Sequence, residues 1–397
     1  MLDSIYIGLT GLTGYSRGLK VISNNVANMN TPGFKASQLQ FADLFYAGDT
    51  SGSGSEPAGS GIGVGVNTLS TRLNFSAGDF QQTGNNLDLA ITGDGFFVVK
   101  DDGGNLSYTR AGQFDFDKNG ILIDTTNGSK VMGLDSGGKL TEISIADLHN
   151  NAPKVSSTLS FTGNLSSDGT TQVVDGLQVF DAVGGTHTLT ATFTNQAPTT
   201  PGSWTVTVTD GATTVATGTI AFLNGSPDPA HSTLSFTYSP SGVPPIPLTL
   251  DFSQKTTSFA AGTTSTLAFD TQDGFAAGVL SSVAVDAQGR LKLTYSNGQT
   301  TNDQEIALAH FDSNDSLESA GGNLFRNTDS TAVKYGAPGS GELGTINAGG
   351  LELSNVNLSS EFGNLIVTER GYQSSSQVIS TANDMIQQLL DMKSHRG

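Results

Sequence analysis

The chain has 397 residues, enough for two or three domains. Its 18 basic and 36 acidic side chains give a formal net charge of -18, which opposes binding to nucleic acid or to an anionic membrane surface. The sequence contains no cysteine, so disulfides, thiolate metal sites and cysteine nucleophiles are excluded.

The N-terminal segment is predicted to form an amphipathic helix within residues 1–30. Four glycines also fall along one side of this helix, and each costs about 1 kcal/mol relative to alanine. Two interpretations stay open: a frayed terminus, or a helix that becomes ordered only when a neighbouring backbone packs closely. The apolar side chains recur at helical spacing along one stripe, which consists of Leu2, Ile5, Leu9, Leu12, Leu19, Ile22 and Val26.

The first residues do not resemble a secretory signal. Asp3 stands where such a signal carries Lys or Arg, and an amphipathic pattern replaces the continuous apolar block. No stretch of the chain approaches the roughly 18 consecutive apolar residues of a membrane span. We therefore expect no cleaved signal peptide and no membrane insertion.

The middle of the chain is predicted to be β-structure. Residues 31–70 are rich in Gly and Ser and predict an extended connector. Period-two alternation between turn sequences predicts a discontinuous β-domain over residues 71–145 and 281–353. Residues 146–280 are rich in Thr and β-branched side chains, which predicts a second β-domain inserted into the first.

The last segment, residues 354–397, is predicted to contain a second helix. Asn357 is the expected N-cap, with Glu361 in the first turn near the positive end of the helix dipole. The stripe either docks onto the chain's own domain or forms a seam for partner helices, and spacing alone leaves both open. Its main apolar members are Leu358, Phe362, Leu365, Ile379, Ile386 and Leu389.

Sequences that suggest metal or phosphate binding are incomplete. Residues 115–126 begin like a calcium loop, but Thr126 stands where a bidentate Glu is required. Residues 133–140 have the spacing of a phosphate-binding loop, but Leu140 replaces the required Ser or Thr. We predict turns at both places, and no catalytic, metal or cofactor-binding residue.

Four stretches, in order along the chain, resemble the bacterial flagellar rod and hook protein family. They are residues 19–35 (LKVISNNVANMNTPGFK), 83–98 (TGNNLDLAITGDGFFV), 108–114 (YTRAGQF) and 351–361 (LELSNVNLSSE), the last continuing to 370–373 (RGYQ). Residues 272–280 are similar to the segment where hook-type members return from the outer domain. The signature residues that the resemblance singles out are Asn24, Asn25, Asn28, Pro32, Gly33, Phe34, Ser354, Asn355, Val356, Arg370 and Tyr372.

The resemblance implies a mainly β fold with terminal α-helices. It would be a nested multi-domain axial protein: the N- and C-terminal helices pair in a coiled-coil-like inner domain, and two β-domains lie outside. The low share of charged residues, 14%, suits a surface that is buried against other copies of the chain. The absence of cysteine argues against subunit crosslinks of the kind that cysteine-bearing relatives use.

The resemblance also implies a non-enzymatic function. The expected role is a structural subunit that self-assembles through its terminal helices into the flagellar hook, a flexible tubular joint that transmits torque outside the cell around an export channel. Besides the chain itself, the implied partners are the distal rod protein, the hook cap protein, the hook–filament junction protein and the flagellar export apparatus. The long insertion favours a hook-type over a distal-rod-type subunit. A secreted β-rich surface-binding protein is the alternative from a different class.

Overall fold

The computed structural model describes residues 2–394 except 45, 48–61, 64, 136 and 329–332. Two long helices, α1 (Leu2–Ala27) and α2 (Leu358–Ser394), lie at the two ends of the chain, and strands fill the part between them. This arrangement confirms the predicted class, mainly β with terminal α-helices that pack together.

The strands of the described residues are numbered in chain order. The first half comprises β1 (Ser37–Asp43), β2 (Tyr46–Ala47), β3 (Ile62–Gly63), β4 (Val66–Leu73), β5 (Phe80–Gln82), β6 (Leu89–Thr92), β7 (Phe96–Lys100), β8 (Leu106–Thr109), β9 (Phe114–Phe116), β10 (Leu122–Asp124), β11 (Lys130–Leu134), β12 (Leu140–Glu142), β13 (Asn150–Asn151), β14 (Thr158–Asn164), β15 (Thr171–Phe180) and β16 (Thr186–Asn195). The second half comprises β17 (Ser203–Asp210), β18 (Thr213–Leu223), β19 (Ser226–Pro227), β20 (Thr233–Tyr238), β21 (Ile246–Thr257), β22 (Ala268–Gln272), β23 (Gly278–Val285), β24 (Arg290–Tyr295), β25 (Thr300–Ile306), β26 (Leu308–His310), β27 (Leu317–Gly321), β28 (Leu324–Asn327), β29 (Lys334–Gly336), β30 (Thr345–Ala348) and β31 (Gly350–Glu352).

The chain divides into two compact units. Unit 1 comprises Met1–Ala146, Val283–Lys292 and Asn302–Gly397, and unit 2 comprises Asp147–Ser282 and Leu293–Thr301. The predicted insertion at 146–280 ends two residues before the first segment of unit 2 does, and it lacks the second segment. That second segment contains the end of β24 and the start of β25. The alternating pattern of the sequence had assigned these residues to the discontinuous β-domain.

In unit 1 the two helices pack antiparallel along a line that we call the α1–α2 seam. Gly11 lies against Ser375, Tyr15 against Gly371 and Gly18 against Thr368. The two residue numbers add up to 386 at each of these contacts, so the register is constant. The N-cap prediction for α2 is confirmed, because the Asn357 Oδ1 accepts a hydrogen bond from the Ser360 N–H at 3.0 Å.

A β-hairpin occupies much of the predicted connector. Strands β1 and β4 pair antiparallel, from Ser37 opposite Leu73 to Asp43 opposite Val66. The hairpin packs on α1, where a Cβ on Gly14 would lie 3.2 Å from the ring of Phe41. The connector prediction for residues 31–70 is thereby corrected. The Gly/Ser-rich run that suggested it lies mostly at 51–60, outside the described residues, whereas the flanking residues form the two paired strands.

The β-part of unit 1 has an aromatic core, and it forms tight turns at the two sequences that resemble calcium- and phosphate-binding loops. Phe96, Tyr108 and Phe311 are buried, and the Tyr108 and Phe311 rings lie 4.8 Å apart edge to face. Between β9 and β10, the Asp117 carboxylate accepts hydrogen bonds from two backbone N–H groups, at 2.9 and 2.8 Å. Strands β11 and β12 form a hairpin around the second motif. Both motifs therefore form turns, as expected.

Unit 2 is built from two sheets around one core. Strands β15-β16-β17-β18-β19 form one sheet, and β20-β21-β14-β22 form the other. Trp204 is buried in the core that they enclose. Burial alone would raise the pKa of Asp273, but its hydrogen bonds from the N–H groups of Ser157 and Thr158 and from the Ser157 hydroxyl, with Lys154 nearby, lower this pKa to about 2.

Candidate assembly surface and junction cluster

The recognised stretches of sequence meet where the helices join the β-part of unit 1. A largely buried set of polar side chains, which we call the junction cluster, consists of Asn25, Lys35, Arg110, Glu352, Asn355 and Glu361. At its centre the Glu352 carboxylate accepts hydrogen bonds from the Lys35 Nζ at 2.5 Å, the Gly78 N–H at 2.9 Å and the Arg110 guanidinium at 3.3 Å. Three donors from the first 110 residues of the chain therefore depend on one carboxylate near its other end.

Electrostatics make this arrangement sensitive to the loss of a charge. Burial lowers the pKa of Lys35, because the ammonium loses its hydration, and the adjacent Glu352 carboxylate opposes the effect. Burial likewise lowers the pKa of Arg110, again opposed by Glu352. The Lys35 side chain is 0% exposed, so its charge depends on Glu352 and on the Ser76 carbonyl, which lies 2.8 Å away.

The asparagines of the junction cluster connect the chain segments on either side. Asn25 at the end of α1 accepts from the Ser37 N–H at 3.0 Å, and it donates to the Ser37 carbonyl and to the buried Glu361 of α2. Asn355 accepts from the Ala36 N–H at 2.8 Å and donates to the carbonyl of Asn74. The end of α1, the start of α2 and the first hairpin strand are thus fixed to one another by side-chain amides.

The remaining signature residues divide between this junction and the helix surface. Gly33 has a φ of +69°, and its N–H donates to the Glu352 carbonyl at 2.8 Å, in a turn that also buries it against Ala111. Asn24 lies in the last turns of α1 and is exposed. The other residues near the junction form turns or lie half-buried, and they are Asn28, Pro32, Phe34, Ser354 and Val356. Arg370 and Tyr372 lie on the exposed side of α2.

The face that α1 buries within the chain is its glycine face. Gly8, Gly11, Gly14 and Gly18 are all buried against α2 or the hairpin. A Cβ on Gly8 would lie 2.8 Å from Ile379, so the missing side chains permit the close approach. Within the single chain, α1 is therefore packed rather than frayed.

Most of the predicted apolar stripe of α1 lies beside this contact rather than in it. Ile22 alone among its described side chains is buried, and Leu9 is 51% exposed. The side chain of Leu2 lies outside the described residues. The half-buried members are Ile5, Leu12, Leu19 and Val26. Two further apolar side chains that the stripe did not include, Tyr6 and Ile7, are also exposed.

The apolar residues of α2 are also divided between the seam and solvent. Leu358, Leu365, Ile379 and Ile386 are half-buried on the seam side, together with the fully buried Ala382. Phe362 and Leu389 were predicted to lie in the same stripe, but both are 51% exposed. Phe362 lies beside the seam rather than on it, and Leu389 lies ten residues beyond Ile379, which Gly8 contacts. The exposed apolar residues of α2 that the stripe missed are Ile366, Val367, Val378, Met385, Leu390 and Met392.

One group of three side chains in the described part of the chain has the geometry of metal ligands. The ligand atoms of His310, Asp312 and Glu342 lie within 4.8 Å of one another. The Lys334 ammonium lies within the same group, with its Nζ 2.6 Å from Asp312 Oδ1, and the carboxylates are exposed. The group is therefore a surface ion-pair network. No described helix is long and apolar enough to cross a membrane.

Sequence models of three flagellar domains match the chain in order. The flagella basal body rod model matches residues 5–35, the FlgE/F/G D1 domain model residues 90–215, and the FlgEFG C-terminal model residues 347–392. The flagellar hook protein FlgE of Escherichia coli strain K12 is 31% identical over 97% of this chain and 98% of its own length. The chain belongs to the flagellar hook protein family. The FlgE of Salmonella typhimurium is 30% identical, and the basal-body rod protein FlgG of Bacillus subtilis 26%, again over nearly complete lengths.

A solved structure supports the fold. The Helicobacter pylori flagellar hook protein FlgE2 matches with a TM-score of 0.50 at 14% identity, over 68% of this chain and all of its own. Family membership confirms the resemblance read from the sequence and the expected function as a hook subunit; neither alternative is favoured. The family is structural, forms a flagellar polymer and belongs to the flagellum.

Proposed function

We propose that this hook subunit polymerises through the outward apolar faces of α1 and α2. The observation that carries the proposal is the division of the two helices into a small-residue seam and an exposed apolar surface. Leu9 is 51% exposed and Val367 is 70% exposed, and further exposed apolar side chains follow along both helices. Contiguous exposed apolar surface marks an interaction site in a soluble protein.

A second copy of the chain is the partner that fits this surface. Charged residues are sparse, and interfaces between subunits are depleted of charge at their centres. A contact between the α1 face of one copy and the α2 face of the next joins two different surfaces, so it is head-to-tail rather than two-fold. Contacts of this kind produce an open helical filament when the rotation does not close a ring.

The finer parts of the proposed role rest on family membership. They are contacts with the distal rod protein, the hook cap protein and the hook–filament junction protein, passage through the flagellar export apparatus, and a final place in the hook outside the cell. The buried junction cluster supports torque transmission, because it joins the helices to the β-part of unit 1 through several hydrogen bonds rather than through one peptide segment.

Electron microscopy of concentrated protein with single substitutions tests the proposal. Wild-type chain should form curved tubes, whereas straight rigid tubes would favour a rod-type role. Leu9→Ser and Val367→Ser should raise the concentration needed for tubes, because each removes exposed apolar surface from a helix. Val183→Ser is the matched control, since Val183 is 72% exposed in unit 2. Normal tube formation by both helix variants would contradict the proposed surface.

A further inference from the structure

Helix α2 extends beyond the end of its partner. With 37 residues it is longer than α1, which has 26. In the constant register of the α1–α2 seam, Leu2 at the start of α1 is level with residue 384. Residues 385–394, which we call the α2 extension, therefore continue for about 15 Å past the described start of α1, at 1.5 Å per residue.

The α2 extension continues the seam with a different type of side chain. The seam position that recurs every seven residues is occupied by Glu361, Thr368, Ser375 and Ala382, which are polar or small, and the next member of the series is Leu389. Leu389 is 51% exposed, and Leu390 and Met392 beside it are more exposed still. At this heptad position the extension therefore carries a large apolar side chain, where the earlier turns of α2 carry polar or small ones.

A complementary surface is present at the same end of the helix pair. Because the helices are antiparallel, the start of α1 lies beside the base of the α2 extension. This first part of α1 exposes Tyr6 and Leu9 on the side opposite its glycines, and Ile7 is exposed as well, on the glycine side. Between Leu2 and Ser16 the only charged side chain is Asp3, so the surface suits a dry apolar contact.

We infer that the α2 extension of one copy packs on the outward face of the first three turns of α1 in a neighbouring copy. The inference rests on the proposed function and names the contact that it uses. We choose a second copy as the partner for two reasons. The extension is continuous with the α1–α2 seam, which pairs with α1, and the described part of α1 in the same chain does not reach the extension. The neighbour's extension is left free for the next copy, so the contact can repeat from copy to copy and gives an open helix when the rotation does not close a ring.

Disulfide trapping tests this contact, because the chain contains no cysteine of its own. The double variant Leu9→Cys/Leu389→Cys is assembled under reducing conditions and then oxidised. Within one chain residue 9 is level with residue 377, about 18 Å along the helix from residue 389, whereas a disulfide needs Cα atoms within about 7 Å. Any bond between the two therefore joins different copies. We expect a ladder of covalent oligomers, and no ladder from the control pair Leu9→Cys/Val183→Cys.

A second set of variants keeps the inference testable where the cysteine pair assembles poorly. Leu389→Asp should raise the concentration needed for tubes by roughly tenfold or more, since it places a charge in the apolar contact. Leu389→Met should change it little, and both monomers should keep the wild-type circular dichroism. Tubes of the double-cysteine variant that give no covalent ladder, or normal assembly of Leu389→Asp, would overturn the inference and leave the proposed function standing. Wild-type protein that forms no tubes would instead count against the proposed function.

Discussion

Replacing Glu352 by Gln should destabilise unit 1 far more than the loss of an exposed ion pair does. The substitution keeps the size of the side chain and one oxygen acceptor, but leaves the Lys35 ammonium and the Arg110 guanidinium buried without their carboxylate. Removing one partner of a buried pair costs about 3–5 kcal/mol. For a domain of about 150–250 residues this corresponds to a fall of about 6–20 °C in melting temperature.

Glu142 provides a matched control for this prediction. Its carboxylate also bridges two cations, Lys100 at 3.2 Å and Lys130 at 3.1 Å, but its side chain is 32% exposed. Glu142→Gln should therefore cost less than about 1 kcal/mol. Calorimetry of the two variants beside the wild type gives the comparison. Equal, small losses for both would refute the view that Glu352 neutralises a buried cationic pair.

Proteolysis gives an independent measurement of how readily the junction cluster opens. The Lys35 side chain is fully buried, so trypsin should cut after Lys35 only when the junction cluster opens. In Glu352→Gln this cut should appear early in a time course, whereas Glu142→Gln should match the wild type. An unchanged rate of cutting at Lys35 in a destabilised Glu352→Gln protein would place the damage elsewhere than in the junction cluster.

Three further predictions concern single positions. Gly371→Ala should destabilise the helix pair by about 1–3 kcal/mol, because the new Cβ would lie 2.5 Å from the Tyr15 ring. Gly363→Ala should stabilise α2 by about 0.5–1 kcal/mol, because the new Cβ would meet no atom within 4 Å. Thermal unfolding measures both changes. Gly33→Ala should lower the yield of folded protein, since φ is +69° there and the methyl group meets a backbone; a yield equal to wild type would contradict this. The folded pKa of Asp273 is about 2, below the ordinary 3.8, so its stabilisation of unit 2 is present above about pH 4 and is lost as pH falls toward 2; Asp273→Asn should flatten this loss in acid unfolding curves.

The sequence predicted the elements whose signals are local. The cap at Asn357 and the turn at Asp117 depend on residues only a few positions away, and both were found where expected. The hairpin was missed because its two strands are separated by a long Gly/Ser-rich run. The glycine side of α1 was left with two interpretations, and the structure favours the close-packed one, with the contact made within the chain. Glycines give no hydrophobic signal, so the sequence did not show which element covers them.

The junction cluster was missed for a different physical reason. Lys35, Arg110 and Glu352 all lie within the stretches that identified the family, but a charged side chain in a sequence is normally expected at the surface. Their burial depends on contacts between residues more than 200 positions apart, which no local pattern encodes. The signal that could have revealed the cluster was the presence of charged side chains inside the family stretches, which are otherwise apolar or turn-forming.

Helical reconstruction of tubes by cryo-electron microscopy tests the central claim most directly. The claim is that the glycine face of α1 is used within the chain and that the outward apolar faces of α1 and α2 are used between copies. We expect each chain to retain the contact between Gly11 and Ser375, and we expect Leu9 and Val367 to be buried against neighbouring copies. Tubes in which these two side chains face the open channel or solvent, with subunits joined only by their β-units, would contradict the account.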